Sequence, residues 1–280
     1  LYVNTALEDW ESYKTWNEEN RKINLDGKKG KEQRSELKEH TLIHRHIRIK
    51  HKYFDPRSTT AIVESGANPG IISVFAKLGL LKVLYSRYAD NIPKIDKLRK
   101  LDYNKLKNFA VLAYKLGLQV IHIAELDTQK PKESAIKKYG GVNKCFLNTW
   151  SCKGYVEESI DPTALGKGSH EKITPGSWLS ELNSVDYGYQ MIIPVRSMNV
   201  FAKSIIPDTK TGASKGKPIE IKGRVISHGE SASLCEFLQI KQKIKGSDKK
   251  KLIYRPSVYY VYSSSEISQL SLKALKKNNY

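Results

Sequence analysis

The chain has 280 residues, 39% hydrophobic and 28% charged, which is ordinary for a globular protein and enough to bury a sizeable core. No apolar run approaches the ~20 residues that cross a bilayer as a helix, and the longest, over residues 71–84, is interrupted by Lys77 and Gly79. The formal charge is +19, but its lysines are spread along the whole chain, and no helix-turn-helix, zinc-finger or RNA-recognition motif supports a nucleic-acid partner.

Cys145, Cys152 and Cys235 form no CxxC pair, which argues for a reducing, cytoplasmic setting and against a disulfide framework or a thiolate zinc site. The chain opens at Leu1 inside a strand-like stretch, the look of a sequence whose natural start lies upstream.

Residues 2–7 read as a short strand, 18–31 as a polar loop with Gly27 and Gly30, and 32–53 as a surface helix ended by Pro56. Residues 59–63 are β-branched and apolar, as in a buried strand. They run into Gly66-Ala67-Asn68-Pro69-Gly70, where Asn68 suits an N-cap and Pro69 a first helical position. A long buried helix is expected over 71–88. Another, over 103–116, is closed by Gly117 and leads into a strand at 119–124. This strand–helix–helix–strand order predicts an α/β fold. Beyond Val142, residues 145–150, 189–195, 201–206, 220–226 and 254–262 read as strands separated by Gly, Pro, Ser and Lys clusters. A second domain built on a mixed sheet follows, with Lys245 to Lys251 as an exposed hairpin loop.

The acids of interest fall beside strand ends: Glu8, Glu125 with Asp127, Glu157 with Glu158, and Glu230. In open α/β sheets, ligands sit outside the carboxyl ends of strands. Several acids there make an anionic pocket in a basic chain, whereas taken singly each is a solvated turn residue. Trp150 closes an apolar strand next to them. Its indole is either a core aromatic or a face for an alkylammonium cation, worth ~2 kcal/mol when desolvated. His228, in Ser227-His228-Gly229-Glu230, is either a structural hydrogen-bonder or a proton carrier near neutral pH. His40 and His44 have the i, i+4 spacing of a metal pair, but no glutamate stands where a zinc protease needs one. Arg45, Arg48 and Lys50 would also repel a cation, so no metal is assigned. Neither GxGxxG nor a Walker loop occurs.

Several of these stretches stand in the order of one family. They are Asn4-Thr5-Ala6-Leu7-Glu8-Asp9-Trp10; Ser65-Gly66-Ala67-Asn68-Pro69-Gly70; Ile121-His122-Ile123-Ala124-Glu125-Leu126-Asp127-Thr128-Gln129; and Asn148-Thr149-Trp150-Ser151 through Gly154, Glu158, Pro162 and Leu165-Gly166. His170-Glu171-Lys172, Ile226-Ser227-His228-Gly229-Glu230-Ser231 and Tyr254-Arg255-Pro256-Ser257-Val258-Tyr259-Tyr260-Val261-Tyr262 complete the set. Together they resemble the bacterial-type homospermidine synthase family, relatives of the saccharopine dehydrogenases. Three positions depart from that pattern. Glu8-Asp9-Trp10 stands for Glu-Pro-Trp, Glu64-Ser65 for a doubled cysteine, and Gly229 for the asparagine after the histidine.

The resemblance implies that residues 1–78 are the tail of a Rossmann-like NAD-binding domain whose fingerprint start is missing. Residues 79–280 would then form an α+β substrate-binding and catalytic domain with a mixed sheet, cut short at its carboxyl end. It implies NAD as cofactor, putrescine as substrate, a homo-oligomer, and a redox-neutral aminobutyl transfer through imines. Glu8 and Asn68 would line the substrate pocket, Asn68 also on the cofactor side. Glu125 and Glu158 would hold ammonium ends, Trp150 a cationic intermediate, and His228 with Glu230 would serve proton transfer and hydrogen bonding. The nearest competing reading is another amine–carbonyl condensing reductase, acting on amino acids. That enzyme would need an arginine for the α-carboxylate, Arg196 or Arg255. A non-enzymatic nucleic-acid-binding protein is the reading from a different class.

Overall fold

The structure is a computed structural model and describes residues 2–3, 61–62, 66, 70–87, 92–125, 130–141, 152–172, 185–187, 189–206, 219–263 and 266–277. Eleven strands fall in it: β1 (Tyr2–Val3), β2 (Ala61–Ile62), β3 (Val120–Glu125), β4 (Pro162–Gly166), β5 (Val185–Tyr187), β6 (Gln190–Arg196), β7 (Phe201–Ile206), β8 (Ile219–Val225), β9 (Ile240–Lys243), β10 (Lys250–Tyr254) and β11 (Ser257–Ser263). The helices are α1 (Ile71–Arg87), α2 (Ile92–Arg99), α3 (Lys107–Lys115), α4 (Glu133–Lys138), α5 (Cys152–Ile160), α6 (Gly229–Phe237) and α7 (Glu266–Lys277).

The fold is α/β, built on a seven-stranded mixed sheet with β11 at its centre. One edge of β11 pairs with β3 in parallel, from Ser257↔Val120 to Tyr262↔Glu125. Its other edge is shared. Val258 meets Gly166 of β4, and Val261 to Ser263 meet Val225 to Gly223 of β8, both antiparallel. From there one wing continues through β6 to β5 and the other to β7. Because β3 and β11 run the same way, Glu125 and Tyr262 end side by side.

Period-two alternation sorts β11 into two faces. Val258, Tyr260 and Tyr262 share one face with Ile121, Ile123 and Glu125 of β3 and with Arg224 of β8. Helices α1 and α6 cover this face, packing Ile72, Ala76, Ala232, Leu234 and Cys235 against Ile123, Val258 and Tyr260. Helix α5 covers its far end, where the Tyr155 and Tyr262 rings meet edge-on, 6.2 Å apart. The opposite face carries Tyr259, which packs beside Leu165, Met191 and Ile193. A second core joins α1 to α3 and β10 through Leu84, Leu112 and Tyr254.

The residues at 71–87, 190–196, 201–206 and 219–225 adopt the expected element types. Gly117, at φ +70°, ends α3 by letting the Leu118 N–H turn back to the Ala113 carbonyl at 2.9 Å. Other expectations are corrected. The helix placed at 103–116 begins only at Lys107, because residues 101–106 turn on the Asp102 side chain and carbonyls. Residues 254–262 form two strands, since Pro256 has no N–H to continue a ladder. Helix α1 is not a buried helix: only Leu80 and Leu84 are buried, whereas Ile71, Val74, Phe75 and Leu78 are exposed. Helices α2, α4, α5, α6 and α7 and strands β4, β5 and β9 were not anticipated. The expected elements at 18–31, 32–53 and 145–150 lie outside the described residues. Helix α1 runs unbroken past position 78, so a division there falls within a helix.

Candidate functional site

Helix α6 sets the centre of the site. His228 is its N-cap, with extended backbone (φ −131°, ψ 141°), and its Nδ1 accepts the Glu230 N–H at 3.3 Å. That bond leaves the imidazole proton on Nε2. The ring is buried and stacks on Tyr260, with centroids 3.9 Å apart and planes 18° apart. Burial pushes its pKa down to about 4, so it is a neutral imidazole at pH 7. This differs from the proton carrier near neutrality expected from its residue type. The imidazole can donate one further hydrogen bond through Nε2, but it holds no charge there.

A pH dependence of stability follows. The folded pKa is depressed, so between about pH 6.5 and about 4 the unfolded chain binds a proton that the folded one refuses. Stability therefore falls across that window on acidification, by roughly 3 kcal/mol for this group. His122, also lowered by burial, adds a smaller contribution of the same sign. His228→Asn, which keeps a capping acceptor, should flatten the acid limb in urea melts run from pH 7 to 4. An unchanged slope would remove His228 as its source.

Glu230 is 1% exposed. Its Oε1 accepts the Gly70 N–H at 2.9 Å, the Ser73 N–H at 3.2 Å and the Ser73 hydroxyl at 3.2 Å. The carboxylate thus closes the N-terminus of α1 from a sequence distance of 160 residues, where peptide dipoles favour negative charge. Its Oε2 is buried without a hydrogen-bond partner. Gly70 makes this approach possible. At φ +132° it pairs with Gly66, and a Cβ there would collide with the Gly66 carbonyl oxygen.

Glu125 ends β3 on the same sheet face, beside Tyr262. Glu158 lies on α5, one helical turn from Tyr155, whose ring packs on Tyr262. Glu125 thus shares a sheet face with Tyr260 and Tyr262, His228 stacks on Tyr260, Glu158 lies on the helix that packs at Tyr262, and Glu230 joins α6 to the start of α1. Glu8, Asn68 and Trp150 lie outside the described residues. The Gly66–Gly70 bridge nevertheless sets the ends of the turn containing Asn68 beside Glu230.

Three site-face residues escaped the sequence reading: Arg224, Tyr155 and Tyr262. The available signal was parity, since Arg224 stands two residues before Ile226 on a strand of alternating apolar positions. The arginines singled out for a carboxylate are placed elsewhere. Arg255 lies before β11, at the opposite end from Tyr262, and its Nε donates to the Lys167 carbonyl at 2.6 Å. Arg196 ends β6, paired with Pro162. Glu171, of the His170-Glu171-Lys172 stretch, accepts the Tyr259 hydroxyl on the other sheet face. Burial, then Glu171 itself, pushes that phenol's pKa up.

A separate groove of about 430 Å³ lies between α1 and the turn into β3. Its lining, with Ala76, Leu80, Val83, Leu118 and Ile121, has no titratable group. Among the described residues no cluster of three or more His, Cys, Asp or Glu could hold a metal ion, and no helix is long and apolar enough to cross a membrane.

No family model matches the chain. Among curated proteins it is 28% identical over 228 residues to a homospermidine synthase of Mesorhizobium japonicum, covering 81% of this chain and 41% of that protein. It is also 28% identical over 220 residues to a homospermidine synthase of Blastochloris viridis, covering 78% of this chain and 39% of that protein. Among solved structures, the homospermidine synthase of Legionella pneumophila in complex with NAD superposes with a TM-score of 0.61 at 27% identity, over 100% of this chain and 48% of that one. The chain thus spans less than half the length of each of these relatives. In sequence and in fold, the chain is similar to these homospermidine synthases over most of its own length.

Proposed function

We propose that the complete protein carrying this chain makes homospermidine from two molecules of putrescine, with NAD as redox cofactor, and that this chain supplies the diamine-binding part. What supports this reading is that Glu125 stands on the sheet face of Tyr260 and Tyr262 while Glu158 and Glu230 stand on helices packed over that face, in a chain with formal charge +19. Carboxylates held together against that background favour a cationic ligand. A diamine carries two ammonium ends and no carboxylate. An amino acid substrate would require an available guanidinium, yet Arg255 donates to a backbone carbonyl away from this face and Arg224, on it, donates to Ser159 and Tyr155.

In the balanced reaction one putrescine is oxidised to an imine and a second amine adds. Ammonia leaves, and the new imine is reduced to homospermidine. NAD supplies the hydride acceptor and then the donor. The described residues offer the nucleotide no phosphate cradle, because the Glu230 carboxylate already fills the N-terminus of α1. The nucleotide is held chiefly by sequence outside these 280 residues, and residues up to about 78 border that part.

Glu125 and Glu158 receive the ammonium ends, and Trp150 offers its indole face to the cationic intermediate. His228, neutral at pH 7, donates a hydrogen bond through Nε2–H to the lone pair of a bound neutral amine. Glu230 keeps α1 and its entry turn in place beside the substrate.

The test is product analysis by mass spectrometry of the complete protein with putrescine and NAD. Homospermidine and ammonia are expected in equal amounts, with no net NADH. Trp150→Ala should lower kcat about a hundredfold, since a desolvated cation–π contact and its orientation are lost together. Absence of homospermidine from the wild-type reaction sinks the reading; a Trp150→Ala enzyme at wild-type rate removes only that residue's role.

A further inference from the structure

Arg224 is a buried cation on the face where a cation-binding pocket is proposed. It is 4% exposed, and its guanidinium carbon stands 4.6 Å from the Tyr155 ring centroid and 6.0 Å from that of Tyr262. One terminal nitrogen donates to Ser159 Oγ at 3.0 Å and the other to the Tyr155 hydroxyl. Ser159 passes its own proton to the Tyr155 carbonyl at 2.6 Å, so its oxygen is free to accept from Arg224. Among the described residues, every hydrogen bond of this guanidinium goes to a neutral oxygen of α5.

Such a bond set does not recommend itself for stability. Burying a guanidinium costs several kcal/mol, and an apolar pair would join helix to sheet without that cost. What the charged fork does supply is orientation, because two donors in one plane fix two points of α5 at once. Those points, Tyr155 and Ser159, bracket Glu158. On the sheet side, Arg224 pairs in register with Tyr262, and Tyr262 with Glu125. The row Arg224–Tyr262–Glu125 crosses adjacent strands, about 10 Å from end to end.

We propose that Arg224 is the positioning residue that orients α5, and with it Glu158, opposite Glu125 across the diamine site. This rests on the diamine reading above. The row also has a charge consequence. Glu125, Glu158 and Glu230 together with Arg224 leave two negative charges on this face, matching the two ammonium ends of a diamine. Neither a longer triamine nor a monoamine would match as well.

Three variants of the complete protein test this: Tyr155→Phe, Arg224→Lys and Arg224→Met. Arg224→Met should raise the KM for putrescine about tenfold and lower kcat/KM about a hundredfold, with NAD affinity unchanged. Arg224→Lys keeps the charge and loses the fork, so kcat/KM should stay low while the dependence of KM on pH returns to that of wild type. Tyr155→Phe keeps the ring packing and removes one acceptor, and a KM increase of about threefold is expected. Hydrogen exchange of the α5 amides should quicken in Tyr155→Phe while that of α6 does not. Wild-type KM in Tyr155→Phe and in whichever Arg224 variant folds, or α5 amides exchanging at the wild-type rate, overturns the proposal. If the wild-type protein turns over no diamine, the functional reading falls, while the exchange measurement still decides whether Arg224 orients α5.

Discussion

Replacing Glu230 by alanine should destabilise the fold by about 3 kcal/mol and abolish activity. The estimate starts from the donors it would strand. The Gly70 and Ser73 amides lie at the start of α1, and both give their protons to one carboxylate oxygen, as does the Ser73 hydroxyl. A hydrogen bond to a charged acceptor contributes about 1.5–3 kcal/mol, and bonds sharing one acceptor add up to less than their sum. Against this stands the cost of burying an ionised carboxylate whose Oε2 makes no hydrogen bond, which alanine would relieve. The stranded donors win because the Gly70 amide and the Ser73 hydroxyl lose their charged acceptor at a helix N-terminus, even though the Ser73 amide keeps the Gly70 carbonyl at 3.1 Å.

Glutamine provides the discriminating control. Glu230→Gln keeps a carbonyl oxygen for the same donors and loses only the charge, so it should recover more than half of the lost stability. The measurement is urea unfolding at pH 7, far from the acid limb of His228, with kcat read in parallel in the complete protein. An alanine variant within about 1 kcal/mol of wild type would mean that α1 is held by its apolar packing, through Ile72, Ala76, Leu80 and Leu84, rather than by this carboxylate.

The second large effect is expected at Gly166, at the end of β4. A Cβ there would stand 2.5 Å from the Ser231 carbonyl oxygen, 2.7 Å from Cys235 Cβ and 3.0 Å from its Sγ. The first of these is backbone of α6, and Cys235 is 0% exposed, fixed among the carbonyls of Lys167, Tyr189 and Pro256. None can swing away, so Gly166→Ala must move the helix off the strand and should cost about 3 kcal/mol. Since α6 carries His228 and Glu230, activity should fall with stability.

Gly79 gives the contrast. It lies inside α1 with open space where a Cβ would go, so Gly79→Ala should instead raise stability by about 0.5–1 kcal/mol. Thermal melts of the two variants side by side check both signs. A well-tolerated Gly166→Ala would show that β4 and α6 are less tightly apposed than described.

Much of the chain could be read residue by residue because its cues are local. The helix at α1 follows from a long apolar run of helix formers, its sister α3 from the Gly117 stop, and β6, β7 and β8 from short apolar runs set off by Gly, Pro, Ser and Lys clusters. The acids at strand ends were also visible, because a change of pattern marks where a strand stops. Helices α5 and α6 were missed for a physical reason. Both are only nine residues long, too short for a stripe to repeat, and α6 takes its cap from a histidine.

Composition, periodicity and turn residues set the α/β class and the mixed sheet, since each depends on neighbours a few positions apart. They could not set which residues meet. Glu230 reaches Gly70 across 160 residues, and Tyr262 draws together Arg224 and Glu125 from strands on either side of it. Such meetings depend on strand register, where a slip of one residue turns every side chain to the other face. Packing, too, moved the His228 imidazole away from neutral titration, because burial costs a charged ring more than any sequence neighbour can return.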